Sequence, residues 1–191
     1  MQGTETYRRW IQKAALYAVA MTAAAAAAGV AFAAAGAGIA ALWSDAKVPL
    51  AFALGAVALV YALHELDFIH IPVPGRDWQV PVEWVRGGYY QSAVVWGTLV
   101  GAGVFTRVTY AILPILLAWL FVSGNVLYGA LAGAVYGATR AVTIYSSARS
   151  REPADVINLN ERLMQLAPAL HQAVGGALAA FAMYLLIAPL L

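Results

Sequence analysis

The chain has 191 residues, 63% apolar and 10% charged, with a formal net charge of +2 and no cysteine. Soluble domains carry roughly a quarter charged residues, so a soluble globular domain is excluded. The expectation is an all-α fold, a polytopic membrane helical bundle forming one transmembrane domain over residues 1–191. The missing cysteines exclude disulfides, thiolate metal sites and a thiol–disulfide relay within the chain, and no basic run of the kind that tracks nucleic acid is present.

Residues 1–13, MQGTETYRRWIQK, are polar and basic and carry Trp10, as expected of a cytoplasmic N-terminus. The apolar stretch 14–43 is 30 residues long. That is about twice a signal-peptide h-region, so a retained membrane helix is expected. It is rich in alanine and poor in leucine, so it gains little from lipid and should pack through small-residue faces. Its length predicts strong tilt, or a bend near Gly36-Ala37-Gly38. A polar turn and Pro49 lead into a second span, 48–66, which ends in His64 and Glu65. In 67–87, Pro72, Pro74 and Pro81 oppose a regular helix, and Trp78 and Trp84 with Arg76 and Arg86 suit a loop in the headgroup layer. That loop either anchors the chain or serves as a lid or docking surface.

Further apolar segments follow at 88–106, 108–122, 126–145 and 167–190, making six in all, with 146–166 as a second interfacial loop. Within that loop an amphipathic surface helix is expected from Asp155 to Leu166, and Pro168 should open the last span. Five or six full crossings both remain open. Six crossings scatter the basic residues over both faces. A single crossing through 88–122, broken near Phe105-Thr106-Arg107, instead gathers the loop arginines with the N-terminus, in keeping with the positive-inside rule. A broken or re-entrant helix would absorb the surplus length if its free backbone groups are buried or line a wet cavity.

Gly97 and Gly101, and again Gly129, Gly133 and Gly137, recur at intervals of four and so lie on single helical faces, where two backbones can approach closely. Ser123-Gly124-Asn125 is a tight turn between the last two central segments. The whole stretch, WGTLVGAGVFTRVTYAILPILLAWLFVSGNVLYGALAGAVYGATR, residues 96–140, resembles half of the transmembrane domain of the cytochrome c biogenesis and DsbD-type family. The resemblance lies in a glycine-rich helix start, a broken proline helix and a small-residue helix with YG near its end. It implies a scaffold in which a broken helix opens a cavity. That family works through a cysteine in the broken helix. This chain holds Arg107 and Pro114 there and no thiol, so thiol electron transfer is not implied.

Three constellations are candidates for chemistry. Arg107, with Thr106 beside it and Arg140 at the end of the glycine helix, either meets an anionic ligand in the membrane domain or snorkels to the interface. His64, Glu65, Asp67 and His70 fall within seven residues, but the histidines are not spaced i, i+4 as in catalytic zinc helices, so a metal site and a polar helix end both stand. His64 and His171, on separate spans, could ligate a haem iron, with Gly175 and Gly176 admitting the porphyrin edge, or could be interfacial only. GAGVF lacks the strand–turn–helix setting of a nucleotide loop, and nothing points to a hydrolase or kinase. A small transporter-like or permease-like protein leads. A haem-holding anchor or electron-transfer subunit and a structural subunit of a membrane complex follow. Lipids, other membrane subunits or a second copy are the expected partners, and nucleic acid is not.

Overall fold

The computed structural model describes residues 2–40, 47–72, 81–86, 88–103, 111–146 and 153–188. They form seven helices and, among the described residues, no strand: α1 Gln2–Ala40, α2 Lys47–Glu65, α3 Val82–Val85, α4 Tyr89–Gly101, α5 Ile112–Ser123, α6 Val126–Ser146 and α7 Pro153–Ile187. The chain divides into two compact units. One comprises Met1–Val30, Arg76–Arg107 and Leu127–Val156; the other comprises Ala31–Gly75, Val108–Val126 and Ile157–Leu191.

Among the described residues three helices are long and apolar enough to cross a membrane, Tyr7–Ile39 within α1, Lys47–Glu65, and Met164–Ile187 within α7. Six apolar segments making five or six crossings were expected. The difference lies mainly in the centre, where the apolar run is split into α4, of 13 residues, and α5, of 12. At 1.5 Å per residue these reach only about 20 Å, short of the roughly 30 Å hydrocarbon layer. α4 ends at Gly101, followed by Gly103 at φ +70°. Pro114 does not break a helix. It stands in the first turn of α5, where an amide has no intrahelical partner to lose.

α1 begins at Gln2, ahead of the apolar stretch that starts at residue 14, and is helical through Gly36-Ala37-Gly38. Two other expectations need correction. The expected loop 67–87 contains the one-turn helix α3, with Pro81 as its N-cap residue. The expected surface helix of 155–166 and the last span are one helix, α7, with Pro168 inside it. Pro168 is exposed, and the intrahelical hydrogen bond that it cannot donate is lost within a helix of 35 residues.

In the first unit the contacts are made by small residues. α1 buries Ala14, Met21, Ala25 and Gly29 on one stripe, α4 buries Ala93, Gly97 and Gly101, and α6 buries Gly129, Gly133, Gly137 and Ala141. Both glycine helices close on α1. A β-carbon at Gly97 would meet the Tyr17 carbonyl and Ala20, one at Gly101 would collide with the Met21 backbone, and one at Gly133 with the Ala25 carbonyl oxygen. At Gly137 it would lie 2.8 Å from Ala25 Cβ and Thr22 Cα. The far side of α6 exposes Leu131, Val135 and Val142, an apolar face suited to lipid.

The second unit has a larger-residue core. Leu54, Ala58 and Ala62 of α2 meet Ile115 of α5, preceded by Ala111, and Leu178, Ala182 and Leu185 of α7. Trp119 and Phe181 add an edge-to-face ring contact with centroids 5.6 Å apart. α5 ends on Gly124, in the left-handed conformation at φ +63°, whose N–H reaches the Leu120 carbonyl at 3.1 Å. This is the helix-ending geometry that glycine adopts without steric cost, and it lets α6 start at Val126.

Candidate functional site

On α2 the buried residues Ala51, Leu54, Ala58, Ala62 and Glu65 follow one another at helical spacing. The apolar stripe therefore ends in a carboxylate that faces the core. α2 stops just after it for a local reason. Asp67 takes φ +67°, its N–H bonds to the His64 carbonyl at 3.0 Å, and the Phe68 N–H bonds to the Leu63 carbonyl at 2.9 Å. This pair of bonds around a left-handed residue is the Schellman ending, and aspartate is among the few non-glycine residues that accept the conformation. α7 mirrors the arrangement. His171 lies one turn before buried Gly175, Leu178, Ala182 and Leu185 on the same face.

The two polar stripe ends meet. Nδ1 of His171 lies 2.6 Å from Oε2 of Glu65, whose side chain is 1% exposed against 42% for the histidine. The other oxygen, Oε1, accepts the Ala111 N–H at 2.9 Å, at the N-cap residue of α5. A carboxylate there also complements the positive end of that helix. Both carboxylate oxygens thus have partners, as a buried acid requires. With Oε1 fixed as an acceptor, Oε2 and Nδ1 share the position at which one proton can move. The pair is either an ion pair or two neutral groups joined by the same hydrogen bond, and the short distance suits a charge-assisted bond.

The other expected residues fall elsewhere. His64 does not join His171. Its Nδ1 lies 3.2 Å from the Ile71 N–H, which can donate to it, and 3.2 Å from the Ile69 carbonyl, to which only a protonated Nδ1 can donate. His70 and Asp67 form a 3.1 Å pair, each more than four-fifths exposed. The four residues of HELDFIH thus point three ways, and no group of three potential metal ligands occurs among the described residues. Gly175 faces Leu66, whose Cγ would lie 2.7 Å from an added β-carbon, while Gly176 has nothing within 4 Å. Arg140 donates to the Tyr136 hydroxyl at 3.1 Å on α6. Arg107 and Thr106 lie outside the described residues. So do the rest of 104–110, where the cavity of a broken helix was expected.

Sequence reasoning took Glu65 for an interfacial residue at a helix end. The signal that places it inside was present: counting back from Glu65 in steps of three and four gives Ala62, Ala58, Leu54 and Ala51, with no polar residue among them.

No family model matches the chain, and no solved structure does. Over 86 residues it is 35% identical to a methylamine utilization protein, MauF, of Paracoccus versutus. The match covers 40% of this chain and 29% of that protein, so the chain spans under a third of the relative's length.

Proposed function

We propose that the chain is an integral membrane protein of the transporter-like or permease-like kind, and that Glu65 and His171 form its proton-handling centre. The observation that carries this is a carboxylate 1% exposed, 2.6 Å from a histidine on another membrane-length helix. Ionisable groups in such helices are costly, and where they persist they generally serve transport or proton transfer. In the transfer, the N–H bond at His171 Nδ1 breaks and an O–H bond forms at Glu65 Oε2. The pair passes from two charges to none without change of net charge. His171, 42% exposed, exchanges the proton with the surroundings, and Glu65 holds it inside. The resemblance of 96–140 to the cytochrome c biogenesis and DsbD-type domain would add a scaffold in which a broken helix opens a cavity, without that family's thiol chemistry. The partial similarity to a methylamine utilization protein makes methylammonium the first co-substrate to test.

The assay is proton entry into liposomes that hold a trapped pH-sensitive dye. Wild-type protein should accelerate acidification over empty vesicles, and Glu65→Gln should abolish the acceleration at a stability cost under about 1 kcal/mol, because glutamine still accepts from Ala111. Equal flux through the glutamine variant and the wild type overturns the reading. We also infer that the N-terminus and residues 146–165 face the cytoplasm, as the clustering of arginines supports. In a chain without native cysteine, single cysteines at Ser44 and Ser147 report this directly. An impermeant reagent applied outside should label the first and not the second; labelling of both overturns the topology.

A further inference from the structure

A second site lies in the other unit, at the polar end of α1. A cavity of about 300 Å³ opens there, lined by Trp10, Lys13, Tyr17, Tyr89, Ser92 and Trp96. Its walls are almost wholly apolar or aromatic, and its one charged group is Lys13. Among the described residues Lys13 makes no ion pair. Its ammonium stands 4.2 Å from the centroid of the Tyr89 ring, and that contact holds a cation in place without neutralising it. The next polar contact outward is between the Tyr90 hydroxyl, which donates, and Gln12 Oε1, at 3.0 Å. Arg8 and Arg9, both exposed, extend the positive charge one turn beyond the cavity.

The depth of this cavity matters. It sits at the start of the Tyr7–Ile39 membrane-length segment, where tryptophan and tyrosine occupy the headgroup level. A ligand that fits must therefore carry an apolar body below and a negative group above. A free anion would leave the aromatic walls unused, and a zwitterionic lipid would bring its own cation beside the phosphate that meets Lys13.

We propose that this cavity binds an anionic glycerophospholipid, with an acyl chain along Tyr17 and Trp96 and the headgroup phosphate against Lys13. The site is independent of the Glu65–His171 pair.

The test uses the purified full chain in detergent, with bound lipid counted by native mass spectrometry. The probes are phosphatidylglycerol and phosphatidylcholine of matched chains. Wild type should prefer phosphatidylglycerol. One basic residue at an anionic headgroup corresponds to roughly fivefold in binding, so Lys13→Gln should reduce the preference by about that factor, and Lys13→Arg should retain it. Ser92→Phe, which fills the cavity and leaves the charge, should weaken both lipids. Three results would overturn the proposal: no preference in wild type, an unchanged preference in Lys13→Gln, or displacement of phosphatidylglycerol by millimolar inorganic phosphate, which would make the ligand a free anion.

Discussion

The two units solve one problem in different ways. Helices in lipid gain nothing from hiding apolar surface, so they associate through close packing or through polar contacts. The unit built on the first part of α1 uses closeness: Gly97, Gly101, Gly129, Gly133 and Gly137 bring backbone against backbone. The unit built on α2, α5, α7 and the rest of α1 has one such approach, Gly36 against the Phe121 backbone, but its core is leucine, isoleucine and aromatic side chains, and it ties one end with Glu65, His171 and the Ala111 amide. The buried Glu65–His171 pair lies in the unit with larger side chains, and the cavity that holds Lys13 lies in the first unit.

The sharpest way to break this contrast is to enlarge a glycine in each unit. Gly133→Leu must displace the Ala25 carbonyl, a backbone obstacle that cannot rotate away, so the cost should reach the upper part of the usual overpacking range, about 3 kcal/mol. Gly38→Leu has nothing within 4 Å to displace and puts a better helix former in α1, so it should match wild type or gain up to about 1 kcal/mol. Thermal unfolding in one detergent compares them. Equal midpoints would mean that the α1–α6 approach is not what holds that unit together.

A smaller effect tests the polar tie. His171→Ala leaves a carboxylate at 1% exposure without its partner. Breaking a fully buried pair costs about 3–5 kcal/mol. The histidine is 42% exposed and water can replace part of it, so about 2 kcal/mol is expected. Glu65→Gln keeps an acceptor for Ala111 and should cost under about 1 kcal/mol. If both variants unfold together with wild type, the pair contributes nothing to the fold, and the contrast between the units rests on packing alone.

How far the sequence discloses this molecule can be judged from a few residues. The helical class follows from long unbroken apolar runs: helices and closed barrels both satisfy the backbone in lipid, but barrel strands alternate apolar and polar residues. Glycines four apart mark faces of close approach, but spacing does not name the partner. Both faces meet α1, whose alanines carry no directional signal. Pro168 shows what a proline leaves open: it reports a missing N–H, and it stands inside α7 instead of opening the last span. Glu65 was legible by periodicity. Its pairing with His171, 106 positions away, was not, since nothing local encodes which helix the stripe will face.

The finest comparison is between two neighbours. Gly175 and Gly176 are adjacent on α7 and identical in composition and local propensity, so any difference between them comes from tertiary structure. A β-carbon at Gly175 would stand 2.7 Å from Leu66 Cγ and 3.2 Å from Leu66 N. The side chain can rotate, but the amide, held 2.9 Å from the Ala62 carbonyl, cannot easily follow. Gly175→Ala should therefore cost about 1 kcal/mol. It should also weaken proton flux if Leu66 drags Glu65, the preceding residue, with it. Gly176→Ala meets nothing within 4 Å and replaces the more flexible backbone with a better helix former, a gain of up to about 1 kcal/mol in a helix interior. It should raise the unfolding temperature and leave flux unchanged. If both variants move stability in the same direction, the close approach of α7 to the end of α2 is wrong, and with it the route by which His171 reaches Glu65.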